Sequence, residues 1–190
     1  MESEYKRNTD NLVCKTALTA IEVFDYYATP NEGEFNEIFE YYFETLRIEN
    51  EHFNFSPYSL FFRNNVSINA IAGKDNGHYF IGLNSGLIIN LIASIKNVHF
   101  NIPNNSIPQN FINQLNTDIN NLLYQYALHF TFYHELGHLI QFSCESLNEC
   151  DNSISNQEVI DANFSLNKHY LELDADTYSS LCLANHTLDY

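Results

Sequence analysis

Positive charge is scarce in this chain. Lys and Arg number 8 against 24 Asp and Glu, a formal net charge of -16. A surface of that sign repels phosphate backbones, which argues against nucleic-acid binding through phosphate contacts. It disfavours docking on anionic membranes for the same reason. Such a surface serves solubility, or a basic partner. Long apolar runs are also missing. The richest, residues 87–95, is interrupted by Asn90 and Ser94 and is too short to cross a bilayer. The opening residues, Met1 to Arg7, hold no signal-peptide stretch, so a cytoplasmic location is expected. With 4 Cys in 190 residues, a disulfide scaffold is excluded and reduced thiols are expected. Cys14 and Cys182 fit helical patterns as small core residues. Trp is absent, yet Tyr and Phe bring aromatics to 15% and hydrophobic residues total 45%, which is not a disordered composition. The length predicts one domain with its own core.

Periodicity divides the chain. Leu12, Val13, Ala17, Leu18, Ala20, Ile21, Phe24 and Tyr27 recur at helical spacing over 10–28, and Pro30 ends the run. Phe35, Ile38, Phe39, Tyr42, Phe43 and Leu46 predict a second amphipathic helix over 34–49, with a Glu-rich outer face. Residues 58–62 and 66–72 read as strands. Lys74-Asp75-Asn76-Gly77 is a hairpin turn, because Asn-Gly supplies positive φ. A strand over 78–83 follows, and Ser85 is expected to cap a helix reaching about residue 95. Residues 99–109 read as loop. A long helix over 117–142 carries Ile119, Leu122, Leu123, Tyr126, Phe130 and Tyr133 as its stripe. A polar, irregular stretch over 144–165 precedes a last helix over 166–186.

The long helix contains His134-Glu135-Leu136-Gly137-His138, which fits H-E-x-x-H. On a helix the two His, four residues apart, share a face and can bind one Zn2+. Glu135 sits beside them, placed to take a proton from water held there. A third ligand must come from another element. Leu171-Glu172-Leu173-Asp174-Ala175-Asp176-Thr177-Tyr178 reads as helix, with Glu172 and Asp176 on one face. Glu172 is the expected third ligand, and Asp176 is placed to accept the free ring N–H of a liganding His. His169, Asp174 and Asp176 are rivals for the ligand position. Ala175 is small enough for close helix approach, and Gly137 suits the same purpose.

At these residues the chain resembles the gluzincin metallopeptidases, whose H-E-x-x-H is followed by a helix bearing E-x-x-A-D, here Glu172-x-x-Ala175-Asp176. Upstream, Asn69-Ala70-Ile71-Ala72-Gly73, a turn, and Tyr79-Phe80-Ile81-Gly82-Leu83-Asn84-Ser85-Gly86 are similar to the strand–turn–strand–helix run of HtpX-type and minigluzincin-type peptidases. The resemblance covers about 66–183 and leaves the first 60 or so residues unmatched. It implies an α+β fold, with a small antiparallel or mixed sheet packed on the zinc helix and further N- and C-terminal helices. The chain would be one domain over 1–190, with a helical part at 1–55 and a peptidase core at 56–190. It implies a hairpin edge that pairs with substrate backbone, involving Asn69, Tyr79 and Ile81. It also implies one Zn2+ per chain and a protein or peptide substrate; many HtpX-type relatives are membrane-embedded, but the short apolar run over 87–95 predicts no membrane segment here.

Several readings stay open. A metzincin would carry Gly and His where this chain has Gln141 and Cys144. Cys144 and Cys150, with Glu145, Glu149 and Asp151, form a second and loose metal-ligand pattern. The oxyanion of a peptidase transition state needs a stabiliser, for which Tyr178, His169, Tyr170 and His186 are candidates. As to function, the expectation is a zinc metallopeptidase of narrow specificity, comparable with ImmA/IrrE-type or phage-exclusion peptidases. The alternatives are an inactive zinc-binding scaffold and a helical interaction protein with an accidental motif.

Overall fold

A computed structural model describes residues 3–97, 118–144 and 166–188. In chain order these form α1 (Glu4–Lys15), a 3-10 turn (Ala20–Glu22), α2 (Glu32–Phe53), β1 (Tyr58–Arg63), β2 (Ala70–Asp75), β3 (His78–Asn84), α3 (Ser85–Leu91) with a π-helical turn (Ile92–Lys96), α4 (Ile119–Ser143) and α5 (Leu166–Leu188). The expected loop at 99–109 and the irregular stretch over 145–165, with Glu145, Glu149, Cys150 and Asp151, lie outside the described residues, as does the His186 side chain. No helix among the described residues is long and apolar enough to cross a membrane.

The architecture is α+β, built on a three-stranded mixed sheet of order β1-β3-β2. β1 runs parallel to β3, pairing Leu60 with Ile81 and Phe62 with Leu83. β2 runs antiparallel to β3, pairing Ala70 with Leu83 and Ala72 with Ile81. The period-2 alternation of strands then sorts the side chains onto two faces. Leu60, Phe62, Ala70, Ala72, Tyr79, Ile81 and Leu83 join the main core with Phe35, Phe39, Tyr42 and Leu46 of α2 and Leu128, Phe132, Leu136 and Leu139 of α4. Phe61, Phe80 and Ile71 point the other way, onto Leu12 of α1. The sheet is thus buried on both sides, and α4 is pressed against its β2 and β3 strands. The hairpin turn is as expected, with Asn76 at φ 49 and Gly77 at φ 76. These are the two positive values that a type I′ turn requires.

Cys14, expected in the core, is exposed, and four expectations about the elements need correction. The first helix occupies Glu4–Lys15, not 10–28. Its buried residues Tyr5, Asn8, Thr9 and Leu12 lie at i, i+3, i+4 and i+7. The Thr16 hydroxyl donates back to the Leu12 carbonyl at 2.8 Å, and the Asp75 carboxylate accepts from the Ala17 N–H at 2.6 Å. The Asp75 bond diverts the Ala17 N–H from a continuing helix, and Val23 instead bridges Arg63 beside β1. Ile21, read as a stripe residue, is 82% exposed. Second, residues 66–69 are loop and not strand; Val66 and Ile68 are exposed, and β2 begins at Ala70. Third, Asn84 is the residue that precedes α3. Ser85 is the first helical residue, and its hydroxyl donates to the Asn65 carbonyl at 3.3 Å. Fourth, α4 buries Leu122, Tyr124, Leu128, Phe132 and Tyr133, while Leu123 and Phe130 of the expected stripe are exposed. This helix is apolar around most of its circumference, so periodicity alone leaves the facing side ambiguous.

Candidate metal centre

The two helices that carry the motif pack antiparallel. The Ser179 hydroxyl donates to the Phe130 carbonyl at 2.8 Å, Gly137 meets Ala175, and the Gln141 amide donates to the Leu171 carbonyl at 2.8 Å. A Cβ on Gly137 would lie 3.0 Å from the Cα of Ala175. Both small residues are therefore needed for the helices to come this close. At the N-terminus of α4, the Asp118 carboxylate accepts from the Asn121 N–H at 2.8 Å and caps the helix.

This crossing brings three donor atoms together. His134 Nε2 and His138 Nε2 lie 3.1 Å apart. Glu172 Oε2 is 3.3 Å from the first and 3.4 Å from the second. Among the described residues, His134, His138 and Glu172 are the group able to hold a metal ion. Cys144 stands exposed at the C-cap of α4, outside that group.

The far side of each ring fixes its tautomer. Asp176 Oδ1 lies 2.9 Å from His134 Nδ1. A carboxylate only accepts, so Nδ1 carries the proton and the Nε2 lone pair faces inward. Gln141 Oε1 lies 2.9 Å from His138 Nδ1, with the same consequence for that ring. With both rings neutral, the three inward atoms are all acceptors, so either a proton or a metal cation must sit between them. Electrostatics agree. The hydrogen bond to Glu172 outweighs desolvation and, with the Glu135 and Asp176 charges, holds His134 protonated up to about pH 9. Burial pulls the His138 pKa down, but its bonds to Glu172 and Gln141 win and raise it. Both rings hold the Glu172 carboxyl far below the usual carboxylate range.

A zinc ion with ligands at about 2.0–2.1 Å in tetrahedral geometry spaces its donors by about 3.3 Å. The three separations here match that spacing. Two imidazoles and one carboxylate also form a donor set suited to zinc. The residues present fit the metal.

The other expected site residues fall as follows. Glu135 is buried, 7% exposed, on the turn of α4 that carries both His. Asp174 turns away from the trio, its Oδ2 3.3 Å from Gln141 Nε2. His169 and Tyr170 are exposed on α5, and His169 lies one turn before Glu172. Tyr178 is not gathered with the trio. It packs on the main core, where burial and the neighbouring Glu49, Cys182 and Tyr133 raise its pKa. Asn69, Tyr79 and Ile81 do not form a free edge. β3 is the central strand, so Tyr79 and Ile81 have neighbours on both sides. Asn69 is tied into the sheet, its carbonyl accepting from the Asn84 N–H at 3.1 Å. Among the described residues, the sheet edge next to α4 belongs to β2. The Asn69–Asn84 bond sets the antiparallel alternation, which points the Ala72 N–H and C=O outward.

Gln141 was missed as a site residue by the motif pattern, which registers it only as a departure from the metzincin Gly. The usable signal was position. Gln141 is i+3 from His138, and its amide offers both an acceptor and donors on that face.

No protein-family model, curated protein or solved structure matches this chain.

Proposed function

We propose that this chain is a zinc-dependent metallopeptidase of narrow specificity that acts in the cytoplasm on a protein or peptide substrate. The observation that carries this reading is the donor triangle of His134, His138 and Glu172, whose sides of 3.1, 3.3 and 3.4 Å suit tetrahedral zinc. Zinc held there would supply Lewis acidity and would make a bound water easier to deprotonate near neutral pH. His134, His138 and Glu172 hold the ion, and Asp176 keeps the His134 ring turned toward it. Glu135 acts as general base, taking the proton of the attacking water and passing it to the leaving amine. His169, exposed one turn before Glu172, is our candidate for steadying the oxyanion of the transition state. An extended substrate adds to the edge of β2 through the outward N–H and C=O of Ala72.

The burial of Glu135 favours a second reading, in which the chain binds zinc as an inactive scaffold. One experiment separates the two. Zinc-loaded wild type and Glu135→Gln are incubated with a proteome-derived peptide library and with whole lysate, and new amino termini are counted. The peptidase reading expects new termini from wild type and none from a Glu135→Gln protein that retains zinc. Undiminished cleavage by Glu135→Gln refutes the mechanism. Silence from both proteins on all substrates leaves the scaffold reading standing.

A further inference from the structure

Gln141 joins the two halves of the site. It is buried, 6% exposed, near the C-terminal end of α4. Its Nε2 donates to the Leu171 carbonyl at 2.8 Å and lies 3.3 Å from Asp174 Oδ2. With two acceptors on that side, the amide has one favourable orientation. The flipped form would set Oε1 against a carbonyl and a carboxylate and lose both bonds. Oε1 therefore faces His138, 2.9 Å from its Nδ1. That acceptor requires a proton on Nδ1 and leaves the Nε2 lone pair for the site. Leu171 is bonded through the chain to Glu172, so the same side chain also anchors the backbone beside the oxygen ligand on α5.

The two rings are thus held differently. His134 is backed by a carboxylate from α5, that of Asp176. His138 is backed by a neutral amide from its own helix, which reaches across to α5 with its other end. A glutamate in place of Gln141 would keep the acceptor for His138 but would face the Leu171 carbonyl and the Asp174 carboxylate with no donor. The role therefore requires an amide, with both an acceptor and a donor end.

We infer that Gln141 is a positioning residue: it fixes the tautomer of His138 and the placement of Glu172 in one hydrogen-bonded unit, and so sets zinc affinity without touching the ion. This rests on the zinc reading of the trio.

The test compares wild type, Gln141→Met, Gln141→Glu and the pair Gln141→Glu/Asp174→Asn. Each is titrated with zinc against a chromophoric chelator. Each is then saturated with zinc, and the His138 ring is read by nitrogen-15 NMR. The expected result is a zinc Kd raised about 10–100-fold in Gln141→Met, the usual range for losing such a partner. The His138 Nδ1–H signal should exchange slowly in wild type and broaden by solvent exchange in that variant. Gln141→Glu should keep the Nδ1–H signal but bind zinc more weakly than wild type. Adding Asp174→Asn restores a donor opposite the carboxylate and should recover part of the affinity. Should Gln141→Met fail to fold, the two Glu-bearing variants decide alone, by loss and recovery of affinity. Wild-type binding with Gln141→Met within twofold of it, and an unchanged His138 signal, would overturn the role of Gln141 and leave the zinc reading intact. Failure of wild type to bind zinc would overturn both.

Discussion

Replacing Gly137 by alanine sets local preference against the helix crossing. Gly in a helix interior costs about 1 kcal/mol relative to Ala, so α4 by itself gains from the change. The crossing loses. The new Cβ would lie 3.0 Å from the Cα and 3.2 Å from the Cβ of Ala175, where ordinary contact begins at 3.4 Å. Helix α5 must therefore back away by about 0.4 Å, and overpacking of this kind costs about 1–3 kcal/mol. The net loss of stability is small, about 0–2 kcal/mol. The effect on the site is larger. Ala175 lies between Glu172 and Asp176, so the ligand and the partner of His134 move with it. Zinc sites hold ligand distances within about 0.2 Å, which is less than the displacement. The expected result is a folded Gly137→Ala protein whose zinc Kd rises by at least about tenfold, or about 1.4 kcal/mol. Thermal unfolding in chelator reports the first quantity and chelator competition the second. Gly33→Ala is the control, because nothing lies within 4 Å of a Cβ there. It should leave zinc affinity unchanged. Wild-type or tighter zinc binding by Gly137→Ala would refute the claim that this contact sets the site.

The remaining predictions concern pH. The folded pKa of His134 is raised from 6.5 to about 9, so its contribution to the stability of the zinc-free chain is complete below about 6.5 and disappears as pH rises through 9. The Glu172 pKa is lowered, so its contribution is complete above about 4.5 and is lost as pH falls further. With the Glu172 side chain 58% exposed, water screens the pair and the His134 contribution is about 1 kcal/mol. Zinc competes with the His134 proton, so below about pH 9 its affinity should rise roughly tenfold per pH unit from this ring alone. From pH 6.5 to 9 the zinc-free chain should therefore lose thermal stability while zinc confers progressively more. Melting curves in chelator and in fixed free zinc check both slopes, and parallel slopes would contradict the assignment.

The motif residues were legible in the sequence because helical geometry is local. His134, His138, Glu172 and Asp176 follow from four-residue spacing, and the structure gathers the first three and hydrogen-bonds Asp176 to His134. The Gly137–Ala175 contact was legible from residue size. The Asn-Gly turn announced itself through its dihedral needs. What was not legible is tertiary. The order β1-β3-β2 places the last strand in the middle, so the strand read as a substrate edge is closed on both sides. Periodicity gives the strands but not which of them pair. The end of the first helix is not legible locally because apolar residues continue past Lys15, whereas the distant Asp75 takes the Ala17 N–H that a continuing helix would use. Tyr178 is a candidate stabiliser by residue type alone, and it lies on the face of α5 that meets the core.

The most direct test of the central claim is metal content. Elemental analysis of purified wild type and Glu172→Ala, each offered zinc and then dialysed, measures whether the trio is a metal centre. About one zinc per wild-type chain, with marked loss in Glu172→Ala, is the predicted result. No zinc in wild type, or equal zinc in both proteins, would contradict the His134–His138–Glu172 site.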